Sequence, residues 1–159
     1  MLGSQVLGEA TFPNASSTNG TPQDYVLINY NTLPGGPVGF EQGMYSQGKT
    51  LVHEAGHYMG LYHTFEGGDY DCKTTANDGC NIGDQVDDTP SQKICYFTGC
   101  GFGTDGIEMD SCPAPGKDPV KNYMGYNPDA CMNELTDGQA ERIIRSLLTF
   151  RPYFKKEVV

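Results

Sequence analysis

Every histidine in this 159-residue chain lies in one short run, HEAGHYMGLYH, that also carries a glutamate: His53, Glu54, His57 and His63. On a helix, residues four apart sit one turn apart, so His53 and His57 project from one face toward a common point. A third imidazole cannot reach that point if the helix continues. Gly60 removes the obstacle, because glycine takes the left-handed conformation and turns the chain back. His63 then arrives as a third ligand. Three protein ligands leave the fourth tetrahedral position of a zinc ion to water, the arrangement of a catalytic rather than a structural site. Glu54 is not needed as a ligand and is placed to take a proton from zinc-bound water, whose pKa zinc lowers to about 7. An isolated HExxH pair arises easily by chance. This one is extended by a glycine and a third histidine.

The elements that must hold these residues follow from periodicity. Residues 46–60 read as a helix with Leu51, Val52, Ala55 and Met59 on its apolar face and Gly60 as its stop. Upstream, QVLGEATFP (5–13) and YVLINYNTL (25–33) read as strands on either side of a polar loop, 14–23. Residues 66–120 show no sustained periodicity and are rich in glycine, aspartate, proline and cysteine, as expected of a stapled functional loop. A final helix spans Asp137 to Phe150, with Thr136 and Gln139 at capping-box spacing. Its expected buried face is Ala140, Ile143, Ile144, Leu147 and Leu148. No repeat or linker divides the chain.

Twenty-one glycines, ten prolines and 19% charged residues favour a loop-rich fold over a helical bundle. The net charge of −10 argues against nucleic acid or an anionic membrane as partner, and no apolar run is long enough to span a bilayer. Six cysteines, all between Cys72 and Cys131, read as three disulfides and hence an oxidising, extracellular setting. A Cys-ligated structural zinc is the poorer reading, since no CxxC pair occurs. Asn14 and Asn19 open candidate glycosylation sequons. The opening residues, MLGSQVLGEATFP, lack the basic and apolar regions of a signal peptide, so the sequence is expected to be a truncated or partial piece of a secreted, monomeric protein.

HExxHxxGxxH is the signature of the metzincin metalloproteases, which also share a methionine-containing turn. NYMGY (122–126) looks like that turn. The longer string HEAGHYMGLYHTFEGG, with GDQVDDTP, DSCP, DPVKNYMGY and ACM, resembles the pappalysin family over residues 5–150, nearly the whole chain.

The resemblance implies an α+β, metzincin-like zincin domain filling residues 1–159. Residues 1–63 would form a partial upper lobe, a twisted sheet and the active-site helix. Residues 64–159 would form an irregular, disulfide-rich lower lobe with the Met-turn and C-terminal helix. The family's catalytic domains begin well upstream, with further strands and a helix. The resemblance further implies a secreted zinc endopeptidase acting on protein or peptide substrates, in which Glu54 activates the zinc-bound water. Met124 would lie beneath the metal without ligating it. Tyr126 would stabilise the tetrahedral intermediate, and LGEATFP would be the edge strand that pairs with substrate. GDQVDDTP matches a calcium loop, with Asp84 and Thr89 as side-chain ligands and the Val86 carbonyl in support. The expected disulfides are Cys80–Cys112, Cys100–Cys131 and Cys72–Cys95. Asp129 stands where it would favour Arg or Lys in a substrate pocket, although an exposed aspartate in a turn is the simpler expectation. The rival functions are a catalytically impaired zinc-containing fragment or extracellular binding module, and a domain held by disulfides and calcium with a fortuitous zinc motif.

Overall fold

The computed structural model of the chain describes residues 6–13, 24–35, 43–68, 79–93, 95, 100 and 108–152. Its regular elements, in order, are strands β1 (Gly8–Ala10) and β2 (Val26–Ile28), helix α1 (Lys49–Tyr58), the single turn α2 (Gly79–Ile82) and helix α3 (Asp137–Phe150). This is an α+β chain. It divides into two units, one of Met1–Leu61 with Gln139–Val159 and one of Tyr62–Gly138.

In the first unit β1 and β2 pair antiparallel, with Gly8 opposite Ile28, Glu9 opposite Leu27 and Ala10 opposite Val26. Glu9 and Leu27 point outward while their neighbours are half-buried, the alternation a strand requires. The ladder is shorter than the expected strands. After Ile28 the chain coils into a 3-10 turn, Tyr30–Thr32. Asn29 explains the break: its side chain accepts the Asn31 N–H at 3.2 Å and its carbonyl accepts the Thr32 N–H at 2.9 Å. Such local hydrogen bonds compete with a strand ladder.

Helix α1 starts later than expected. Ser46 is held in a preceding turn, its hydroxyl donating to the Gly43 carbonyl, and Gly48 caps the helix in the left-handed region at φ +83°. The expected apolar face is not the buried one. Leu51 and Val52 are 44% and 39% exposed, whereas Thr50, His53, Glu54 and His57 are buried. Those four positions follow the i, i+3, i+4, i+7 stripe, so the polar residues form the face packed on β1 and β2. Hydrophobicity alone selects the wrong side of this helix.

The same rotation occurs in α3. Ala140, Ile144 and Leu148 are exposed; the inward stripe runs through buried Gln139 and half-buried Arg142, Ile143, Ser146 and Leu147. Two of these polar residues meet the turn after α1. Arg142 Nε donates to the Gly60 carbonyl at 2.8 Å, and Ser146 lies where a Cβ on Gly60 would fall. At its C-terminal end Arg151 is fully buried, paired with Asp24 and stacked 3.6 Å over the Tyr58 ring. The Tyr58 hydroxyl donates to the second Asp24 oxygen. Burial opposes ionisation of Asp24, but the bonds from Arg151 and Tyr58 outweigh it and hold its carboxyl below the usual range. These contacts place α3 with the first unit, not with the disulfide-bearing one.

The second unit has little regular structure and is held otherwise. Cys80–Cys112 and Cys100–Cys131 are bonded. Cys95 is also in a disulfide, and Cys72, the partner expected for it, lies outside the described residues, as do Asn14 and Asn19. Buried polar side chains close the turns. Asp118 accepts from the Ser111 N–H and hydroxyl, and Ser111 Oγ in turn accepts the Lys93 N–H. At the start of α3 the Gly138 N–H donates to Asp88 at 2.8 Å. That bond and one from the Thr136 hydroxyl hold the Asp88 carboxyl below its ordinary range. The helix start is thus capped from the 83–90 loop.

Candidate metal centre

Helix α1 ends in a hydrogen-bonded turn that sets the site. Gly60 is at φ +96°; its N–H donates to the His57 carbonyl and the Leu61 N–H to the Gly56 carbonyl, both at 2.9 Å. This is the paired closure of a Schellman cap, and it needs a left-handed residue at Gly60. The turn also brings the Leu61 carbonyl 2.8 Å from His57 Nδ1. A carbonyl can only accept, so Nδ1 carries the ring proton and Nε2 presents its lone pair. That is the backing usual for a metal-bound histidine.

His53 Nε2 lies 3.0 Å from His57 Nε2, with the rings edge to face. Two nitrogens each about 2.05 Å from one tetrahedral zinc stand roughly 3.3 Å apart. One ligand atom from each of His53, His57 and His63 can be chosen so that all lie within 4.8 Å of one another. Among the described residues this is the one grouping of three or more His, Cys, Asp or Glu side chains able to hold a metal. A neutral, all-imidazole donor set of this spacing fits zinc.

Glu54 sits on the buried face beside His53, 6% exposed. Burial, with a further push from the Glu9 carboxylate, raises its pKa to about 7. A buried carboxyl with such a shift is a candidate for proton transfer.

His63 is positioned by aromatic packing. Its ring stacks on buried Phe65 at 4.8 Å and meets the Tyr126 ring edge to face at 5.0 Å. Glu66 Oε2 lies 3.7 Å from His63 Nδ1, an electrostatic neighbour beyond hydrogen-bond range. Met124 is fully buried; its N–H donates to the Asn122 side chain and its carbonyl accepts the Thr64 N–H at 3.2 Å. The NYMGY turn is therefore tied to the residue following His63.

Asp84 and Thr89 are buried in the 83–90 loop and do not belong to the histidine cluster. Asp84 Oδ1 accepts the Val86 N–H, the Val86 carbonyl accepts the Thr89 N–H, and Thr89 Oγ1 lies 3.3 Å from Thr136 Oγ1. Asp129 is fully buried, not an exposed turn residue. Several neighbours went unmarked in the sequence reading: Phe12, whose ring lies 5.1 Å from His57, together with Phe65, Glu66 and Gly8. The LGEATFP and HTFE strings contain all four, but nothing in their residue types announces contact with a ligand.

A family model described as pregnancy-associated plasma protein-A, peptidase M43, matches residues 5–148. An extracellular metalloprotease of Verticillium alfalfae is 42% identical over 154 residues, covering 94% of this chain and 47% of its own. An extracellular metalloprotease of Pyricularia oryzae is 41% identical over 148 residues, covering 92% and 45%. Among solved structures, mature mirolysin of Tannerella forsythia in complex with a cleaved peptide is 32% identical with TM-score 0.64, covering 89% of this chain and 47% of its own. Mirolysin in complex with compound 9 is 34% identical with TM-score 0.67, covering 91% and 48%. The chain spans about half the length of the curated relatives it matches. With the histidine cluster and the NYMGY run both inside the residues that the family model matches, this chain belongs to the pappalysin family, peptidase M43, of the metzincin metalloproteases.

Proposed function

We propose that this chain carries the zinc site and general base of a secreted endopeptidase, with His53, His57 and His63 as ligands and Glu54 as base. The observation that carries the proposal is the convergence of three imidazoles, with the buried Glu54 on the same helix face as two of them. Zinc held there supplies Lewis acidity for hydrolysis of an amide. Glu54 takes a proton from the attacking water and returns it to the leaving amine. His57, held through Nδ1 by the Leu61 carbonyl, would offer Nε2 to the ion. The Tyr126 hydroxyl serves as donor to the developing oxyanion. Among the described residues β1 pairs only with β2, which leaves its second edge for an extended peptide.

Secretion is supported by the extracellular relatives and the disulfides. No helix among the described residues is long and apolar enough to cross a membrane. Calcium at Asp84 and Thr89 is a finer proposal, supported by the family loop and the burial of both side chains. If calcium raised the melting temperature of Asp84→Ala as much as that of the native chain, this site would be ruled out.

The decisive test of the main reading is Glu54→Ala in oxidised, zinc-loaded protein. Peptide cleavage should fall by about 10³-fold or more, with zinc content unchanged. Cleavage at the native rate would sink the assignment of the base. Stoichiometric zinc without chelator-sensitive cleavage by the native chain would instead support a module that binds and does not cut.

A further inference from the structure

Gly8 occupies a strand position where glycine has no conformational reason to be. It is absent from the residues of positive φ, and it pairs in register with Ile28. Glycine inside a strand weakens it and often marks close approach by another group. Here the group is identifiable. A Cβ built on Gly8 would lie 2.5 Å from Glu54 Cγ, 2.7 Å from Oε1 and 2.8 Å from Cδ, and these are its three nearest neighbours. Carbon atoms in contact sit about 3.5–4.0 Å apart, so a methyl group would have to displace something by roughly 1 Å.

We infer that Gly8 is a positioning residue for Glu54: its bare backbone is the wall against which the Glu54 side chain is seated. The strand cannot readily give way. On either side of Gly8 the ladder is pinned by the Leu7 carbonyl, which accepts the Asn29 N–H at 2.8 Å, and by the Thr11 N–H, which donates to the Tyr25 carbonyl at 3.1 Å. The α1 backbone is fixed by its own hydrogen bonds and by the turn at Gly60. The movable part is the Glu54 side chain, and a base displaced by about 1 Å can lose on the order of 10²-fold in rate. Gly8 acts only through Glu54, so the inference rests on the proposed role of that residue. It assigns to the β1 strand a second duty besides any pairing with substrate.

The test is a pair of double-mutant cycles on the oxidised protein. In the kinetic cycle Gly8→Ala should lower kcat by about 10- to 100-fold, leave KM within about threefold and leave zinc stoichiometry unchanged. Glu54→Asp removes one methylene and makes room, so Gly8→Ala should cost less in that background than in the native one. The thermal cycle needs no activity. Gly8→Ala should lower the melting temperature by about 3 °C or more in the native background and leave it unchanged in the Glu54→Ala background, where the colliding atoms are gone. An equal melting loss in both backgrounds, or a native kcat for Gly8→Ala, would overturn the inference. Full cleavage by Glu54→Ala would defeat the proposed function instead, while the thermal cycle would still report whether Gly8 seats that side chain.

Discussion

In the first unit the residues proposed for the site hang from hydrogen-bonded backbone, whereas in the second they hang from turns in a unit closed by disulfides and buried polar side chains. His53, Glu54 and His57 share the inner face of α1, and Gly8 opposes Glu54 from a paired strand. His63, Met124 and Tyr126 instead occupy loops whose order comes from Phe65, the Asn122 side chain and the Thr64–Met124 backbone bond. The first arrangement uses periodicity and the second uses cross-links. They should therefore fail differently when stressed.

The largest effect should come from the first unit's buried ion pair. Arg151→Ala removes the guanidinium paired with the Asp24 carboxylate and strips the Tyr58 ring of its cation. Breaking such a pair costs about 3–5 kcal/mol, to be read as a lower denaturation midpoint. A loss below about 1 kcal/mol would mean that α3 is not held by this cluster. Next is the second unit's covalent framework. Replacing Cys80 and Cys112 by serine opens a loop with sequence separation 32, worth about 3.5 kcal/mol by chain entropy. The expected signature is increased proteolysis within residues 62–138 before the rest. Simultaneous cleavage throughout would show that the two units do not respond separately.

The third effect is pH-dependent and belongs to Glu54. Its folded pKa of about 7 lies above that of an exposed glutamate, so the folded state favours the protonated form. In metal-free protein the cost of ionising it is therefore absent below about pH 4.5, grows as pH rises to about 7, and is complete above that, up to about 3 kcal/mol. Comparing the pH–stability curves of native and Glu54→Gln protein isolates this contribution. Parallel curves would show that the carboxyl is not buried as described.

The contrast between the units also explains what could be read without coordinates. The metal-binding run was legible because a four-residue spacing on a helix and a glycine before the third histidine leave few geometric alternatives. Family membership was legible because its motifs are spread along most of the chain. The buried face of α1 was not, and that of α3 was legible only through Ile143 and Leu147, since both helices turn polar residues inward: Glu54 and the histidines in one, Gln139, Arg142 and Ser146 in the other. Burial of Asp129 and the closeness of Gly8 to Glu54 depend on segments distant in sequence, and no local pattern encodes them. The shortening of β2 was partly legible in hindsight, because Asn29 is the kind of residue that diverts a strand into a turn.

The Schellman cap at Gly60 has a thermodynamic consequence. The same turn that terminates α1 delivers the Leu61 carbonyl to His57, so the tautomer of a metal ligand is set by how a helix ends. Fraying of that terminus and weakening of the ion's hold are then two readings of one equilibrium. Metal affinity becomes a gauge of local backbone order, and saturating metal should protect the amide hydrogens of Gly60 and Leu61 from exchange more than those at the start of the helix.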